Sequence, residues 1–260
     1  LRIEYRKTNY KLVKRILIVD DNAINRKYAL SVLKSSDWQI EEVEDGESAL
    51  VLLEKEAFDL ILMDIQMPGM DGFECLRRIR TDFPGLNCPI LAVTAFSNEQ
   101  DREAFAEAGF QALITKPIKP SELRNAVTQW LAEQAGSPSI IIHKEEKTDQ
   151  IIDISVYEDL KKFTRSDDII DIYEEFENET SDFLEQLNFL VPAKNYPEIL
   201  SILHTIKGNA GSLGLLVLAD HSRQMEGKLK EARYENLIED FDLLQKHYGT
   251  FVDNYKRILK

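Results

Sequence analysis

Between Arg15 and about Glu133, five short apolar runs (ILIV, QIEEV, LILM, ILAV and ALI) alternate with stretches of helical period. That alternation leaves few folds open. A strand followed by a helix and a further parallel strand closes through a right-handed crossover, and repetition of the unit covers both faces of the sheet with helices. The expected fold is therefore α/β: a doubly wound, five-stranded parallel sheet of flavodoxin-like order 2-1-3-4-5, with its ligand site beyond the carboxyl ends of the strands.

The distinctive polar residues fall at those ends. Asp20 and Asp21 follow ILIV, Asp64 follows LILM, Thr94 follows ILAV and Lys116 lies just past ALI. Three carboxylates gathered at one edge repel one another unless a cation joins them, and an oxygen-liganded Mg²⁺ suits such a donor set. An aspartate is already ionised at neutral pH and attacks phosphorus without a general base, provided the phosphoryl charge is neutralised. Mg²⁺ and Lys116 would supply that neutralisation. Thr94 would hydrogen-bond a phosphoryl oxygen, and a loop closing on the phosphate would be the readout.

The formal net charge of -14 argues against a nucleic-acid surface, which needs clustered Lys and Arg. Partners are expected to be proteins. The two cysteines, Cys75 and Cys88, lack metal-ligand spacing and predict neither a disulfide framework nor a zinc site, so a reducing cytoplasm is the default. No apolar run approaches the roughly 20 residues of a membrane span, and no membrane contact by these residues is expected. The chain begins at Leu1 without a leader, and residues 1–13, which hold all but the last residue of the basic RIEYRKTNYKLVK stretch at 2–14, read as linker. The expectation is a fragment, with any membrane anchor of the full-length protein lying upstream.

Residues 135–152, AGSPSIIIHKEEKTDQII, interrupt the alternation and read as an interdomain linker between domains at 14–134 and 153–260. Three consecutive isoleucines there are expected to pack against one domain, with His143 incidental. Beyond Asp153 the period is helical. Tyr173, Phe176, Thr180, Phe183, Leu187 and Leu190 recur at three and four residues, as do Leu237, Phe241, Leu244, Tyr248, Phe251, Tyr255 and Ile258. With a middle pair of helices joined near Gly214, this predicts an all-α four-helix bundle.

Within ILSILHTIKGNAGSLG the apolar stripe is Ile199, Ile202, Leu203, Ile206 and Ala210. At about 100° per residue, His204 points about 140° from the centre of that stripe, on the side of Lys207, Gly208 and Gly211. Each interior glycine costs about 1 kcal/mol relative to Ala, and close approach of a partner is a reason to keep them. Bare backbone beside His204 would admit a convex active site carrying an aspartyl phosphate, with Lys207 offsetting phosphoryl charge. Neutral imidazole is nucleophilic near its unperturbed pKa of about 6.5. His221 and His247 read as structural, and Asp182 and Glu185 as a solvated helix face.

Through ILIVDDN, LILMDIQMPGMDGFE, AVTAF and ITKPI, residues 14–134 resemble the response-regulator receiver family. The resemblance implies that Asp64 is the phosphoacceptor, that Asp21, Asp64 and the Gln66 carbonyl bind Mg²⁺ directly, and that Asp20 assists through water. It also implies that Thr94 is the switch hydroxyl, Lys116 the phosphate-binding lysine, and Lys116–Pro117 a cis bond. Leu113 stands where that family carries Tyr or Phe, so output by aromatic rotation is not expected, and Phe96 and Phe110 read as packing.

HTIKGNAGSLG resembles histidine-phosphotransfer domains, over residues 153–260. This implies His204 as phosphoacceptor, Lys207 as its cation, and Gly208 and Gly211 as an open docking face. Glu226 stands where that family often has Gln, so a polar contact there is only weakly implied. Together the two resemblances imply the C-terminal part of a hybrid sensor histidine kinase. An upstream histidine kinase domain would load Asp64, Asp64 would load His204, and His204 would load a downstream response-regulator receiver. No glycine-rich ATP-binding box occurs, so the chain is not expected to make phosphohistidine from ATP. The alternative is a non-enzymatic docking module whose two domains use separate partners. A receiver-driven transcription factor would need a basic recognition helix, and the second half carries more acids than bases.

Overall fold

The computed structural model describes residues 13–34, 37–94, 99–132, 139–141 and 151–259. In chain order, β1 (Lys14–Val19), α1 (Ala23–Leu33), β2 (Trp38–Val43), α2 (Gly46–Leu53), β3 (Leu60–Asp64), α3 (Gly72–Asp82), β4 (Ile90–Thr94), α4 (Glu99–Ala108), β5 (Ala112–Thr115) and α5 (Pro120–Ala132) alternate. Their order in space is β2-β1-β3-β4-β5, the doubly wound solution. Every residue of β3, β4 and β5 is buried, as expected for strands with helices on both faces. Asn22, Asp45 and Asp71 start α1, α2 and α3 by accepting backbone N–H bonds from Asn25, Ser48 and Glu74.

A sixth strand, β6 (Ser139–Ile141), extends the sheet by pairing parallel to β5, with Leu113 opposite Ile140. It lies in the segment whose composition reads as linker. The reason is an open edge: β5 would otherwise end the sheet with unpaired backbone groups, and a β-branched run is well suited to cover them. His143, Phe96 and nearly all of the 1–13 segment lie outside the described residues.

The second half holds a short α6 (Ile154–Leu160), then α7 (Ser166–Ala193), α8 (Tyr196–Ser212), α9 (Leu216–Lys230) and α10 (Leu237–Ile258). Ile199, Ile202, Leu203, Ile206 and Ala210 are all buried on α8, as their spacing predicts. On α7 the stripe drifts. Leu184 and Val191 are buried while Phe183 and Leu190 are only partly so, because a period of 3.6 slips around a helix of 28 residues. Gly214 turns α8 into α9 at φ +72, where a Cβ would meet Val156 at 3.1 Å.

The two halves share one apolar cluster, in which Tyr28, Ile118 and Leu123 join Tyr157, Leu160 and Tyr173. Helix α1 packs on α7 and α8, and α5 packs on α6. Polar contacts line the seam. Lys27 pairs with Glu175 at 2.7 Å, and Asp159 of α6 accepts the Ser121 N–H at 2.7 Å, supplying an acceptor and negative charge at the N-terminus of α5.

Candidate functional site

The carboxyl ends of β1, β3 and β5 bring Asp20, Asp21, Asp64 and Lys116 together. Ligand oxygens of the three acids lie within 4.8 Å of one another. The Lys116 Nζ donates to Asp64 Oδ2 at 2.6 Å and to Asp20 Oδ2 at 3.3 Å. Asp20 and Asp64 are buried, whereas Asp21 is exposed. Burial raises the Asp20 carboxyl from 3.8 to about 7, against the pull of Lys116 and with the help of Asp64. Burial also raises Asp21, and Asp64 adds to it. Lys116 is held above its ordinary range: its desolvation acts downward, and Asp20 and Asp64 outweigh that.

The surrounding backbone supports these acids. The Asn22 N–H and the Asn25 amide donate to Asp20 Oδ1 at 2.9 and 3.2 Å. The Gln66 N–H donates to Asp64 Oδ1 at 3.1 Å, which puts the Gln66 backbone beside the cluster. Thr94 is wholly buried at the end of β4, and its carbonyl accepts the Lys116 N–H at 2.7 Å. The Lys116–Pro117 bond is cis. Gly72 carries no distinctive signal in the sequence. A Cβ there would lie 2.5 Å from the Asp64 carbonyl oxygen, so only glycine lets α3 start this close to β3.

This donor set fits a hard divalent cation. Three carboxylates converge while the single buried ammonium answers only part of their charge, and oxygen ligands of this kind suit Mg²⁺. Leu113 is buried, and Phe110 packs with Phe73 and Phe105 at centroid distances of 5.6 and 5.7 Å, so neither offers a mobile aromatic.

Across the seam, α8 presents His204, half-buried, with Lys207. The His204 Nδ1 lies 3.1 Å from Glu226 Oε1, and Lys207 Nζ donates to Glu226 Oε2 at 2.7 Å. Lys230 completes the set at 2.6 Å from Glu226 Oε1. Burial acts to raise the Glu226 carboxyl, but hydrogen bonds from His204, Lys207 and Lys230 hold it well below the ordinary carboxylate range. The polar contact that the sequence only weakly implied at Glu226 is thus present, because a helix hairpin brings α9 against α8. The Glu226 carboxylate favours a proton on Nδ1, which would leave the Nε2 lone pair free, while the Lys207 Nζ, 3.2 Å from the same Nδ1, favours a lone pair there.

Gly208 has open space where a Cβ would stand. Gly211 does not: the Cβ of Pro117 would lie 3.1 Å away, so the residue after Lys116 sits directly on this helix. His221, by contrast, bonds the Asp240 carbonyl at 2.7 Å and packs edge-on against His247, a structural arrangement.

A parallel α/β sheet with an acid cluster at its carboxyl edge, joined to a helical bundle with a surface histidine, defines a phosphotransfer protein of two-component type. The chain belongs to the response regulator receiver domain family, which its residues 16–128 match, and carries an Hpt domain at residues 171–253. It takes its place in phosphorelay signalling. The aerobic respiration control sensor protein ArcB of Escherichia coli (strain K12) is 24% identical over 93% of this chain and 31% of its own length. An uncharacterized 14.6 kDa protein of Leptolyngbya boryana is 37% identical over 44% of this chain and 88% of its own length. The receiver domain of a sensor histidine kinase from Pseudomonas aeruginosa PAO1, solved with a magnesium ion coordinated in its active-site cleft, is 34% identical over 46% of this chain and 98% of its own, with a TM-score of 0.42. The chain spans between 14% and 31% of the length of the GacS and ArcB sensor proteins that it matches. Among the described residues, no helix is long and apolar enough to cross a membrane.

Proposed function

We propose that the chain is the relay portion of a hybrid sensor histidine kinase, with a receiver at 14–134, a linker at 135–152 and a phosphotransfer bundle at 153–260. In this reading an upstream kinase phosphohistidine loads Asp64, Asp64 passes the phosphoryl group to His204, and His204 passes it to a separate response-regulator receiver. The observation that carries it is the seam, where Pro117, the residue after Lys116, rests on Gly211 of the helix that bears His204.

Asp20, Asp21, Asp64 and the Gln66 carbonyl would hold Mg²⁺, which when bound supplies positive charge to the phosphoryl oxygens. Lys116 sits against Asp64 and would neutralise one phosphoryl oxygen, and Thr94 would donate to another. In the transfer, the Nε2 lone pair of His204 attacks phosphorus while the bond from phosphorus to the Asp64 oxygen breaks. Asp64 leaves as a carboxylate. The Nδ1 proton stays on the ring facing Glu226, whose carboxylate answers the positive charge of the ring, while Lys207 offsets the negative charge of the phosphoryl group.

The test is labelling with radioactive acetyl phosphate and Mg²⁺, followed by alkali, which destroys acyl phosphate and spares phosphohistidine. Alkali-stable label in the wild type, absent from both Asp64→Asn and His204→Gln, is the expected result. Label that is entirely alkali-labile would overturn the relay and favour two modules with separate partners.

A further inference from the structure

We propose that Glu179 is a positioning residue for transfer between Asp64 and His204, an inference that rests on the relay reading above. Glu179 lies in the middle of α7, away from both phosphoacceptors in sequence, and it belongs to neither site. Its carboxylate nevertheless bridges them. Oε1 accepts from the Asn22 side-chain amide at 3.2 Å, and Oε2 accepts from the Asn209 side-chain amide at 2.7 Å.

Each amide is tied to one half of the chemistry. Asn22 directly follows Asp20 and Asp21, its N–H holds Asp20 Oδ1, and its own side chain caps α1. Its position is therefore the position of the acid cluster. Asn209 is 1% exposed and follows His204 on α8, five residues along. Two hydrogen bonds from one carboxylate thus set the distance between the acid-cluster loop and the histidine helix. The Asn209 bond, at 2.7 Å, has the length of a hydrogen bond to an ionised acceptor, and the Asn22 bond at 3.2 Å is the looser of the two.

The groups around it leave Glu179 little else to do. Of the two cations on α1, Lys27 is committed to Glu175 and Arg26 donates to the Asp20 and Asp21 carbonyls. Desolvation raises the Glu179 carboxyl, while the bonds from Asn22 and Asn209 act against it. A half-buried acid held by two neutral amides is poor stabilisation compared with an apolar contact, but it is specific in direction. In-line phosphoryl transfer depends steeply on such placement: an error of about 1 Å costs about 100-fold.

The experiment uses the full chain, radioactive acetyl phosphate and Mg²⁺, with alkali-labile and alkali-stable label followed separately in time. Glu179→Ala is expected to acquire alkali-labile label at the wild-type rate and to form alkali-stable label at least tenfold more slowly, with a melting midpoint lowered by about a few degrees because the buried Asn209 amide loses its acceptor. Glu179→Gln keeps one acceptor and can bond a flipped amide, so its transfer rate is expected within about threefold of wild type. Asn209→Asp sets a second acid against Glu179 and is expected to slow transfer, and Glu179→Gln in that background is expected to restore it. Unchanged transfer in Glu179→Ala, or an equal slowing of both labels, would overturn the proposal while leaving the relay intact. A wild type that never forms alkali-stable label would overturn both.

Discussion

Nδ1 of His204 lies 3.1 Å from Oε1 of Glu226, and that carboxylate is held ionised by Lys207 and Lys230 as well. With a proton on Nδ1 directed at Glu226 the pairing leaves Nε2 free as the nucleophile, and Lys207 Nζ lies 3.2 Å from the same Nδ1. Glu226→Gln still offers an oxygen to Nδ1–H, so alkali-stable labelling is expected to persist at a reduced rate. Glu226→Ala offers none and is expected to lower it about 10-fold to 100-fold, by analogy with the partners that orient metal-ligating histidines. Nitrogen NMR shifts of His204 in the two variants check the assignment directly.

The same acid makes an acid-stability prediction. Its folded pKa is depressed, so Glu226 contributes stability that is complete above its unfolded value, near 4.5, and is lost as the pH falls through the lower folded value. Urea midpoints measured between pH 7 and pH 3 are expected to fall less steeply below pH 4.5 in Glu226→Gln than in the wild type. Parallel curves would count against the ion-pair arrangement.

Two glycines on one helix separate packing from propensity. Gly208→Ala meets open space within the chain and is expected to stabilise the bundle by up to about 1 kcal/mol, while narrowing the docking face beside His204 and slowing transfer to a separate receiver. Gly211→Ala places a methyl 3.1 Å from the Pro117 Cβ, so it is expected to slow formation of alkali-stable label several-fold without slowing that of alkali-labile label. Rates and melting curves of the two variants provide the check.

At the acid cluster, EDTA is expected to abolish labelling of Asp64 and added Mg²⁺ to restore it. Lys116→Met removes the ammonium that lies 2.6 Å from Asp64 and is expected to lower loading about 100-fold while Mg²⁺ still binds. Metal titration followed by intrinsic fluorescence distinguishes lost binding from lost chemistry.

Because the seam joins the two halves of one chain, transfer is expected to be independent of protein concentration. A mixture of Asp64→Asn and His204→Gln chains is expected to form alkali-stable label far more slowly than wild type at equal total concentration, since each bundle is covered by its own receiver. Rapid complementation in the mixture would show transfer between chains.

Much of the site was legible in the sequence for a physical reason. Parallel strands place the residues at their carboxyl ends along a common edge, so Asp20, Asp64 and Lys116 could be grouped from strand ends alone, and helical period alone put His204 off the buried stripe of α8. Pattern within one element is a property of the chain itself. The bridge from Asn22 through Glu179 to Asn209 and the seat of Pro117 on Gly211 had no local signal, the contact of His204 with Glu226 was only weakly implied, and the isoleucine run predicted packing against a domain but not the addition of Ser139–Ile141 to the sheet. Each joins residues on different elements, and a polar side chain on a helix looks the same in sequence whether it faces water or a partner. Only tertiary packing decided which acids became partners, because desolvation at a seam obliges a buried polar group to find one.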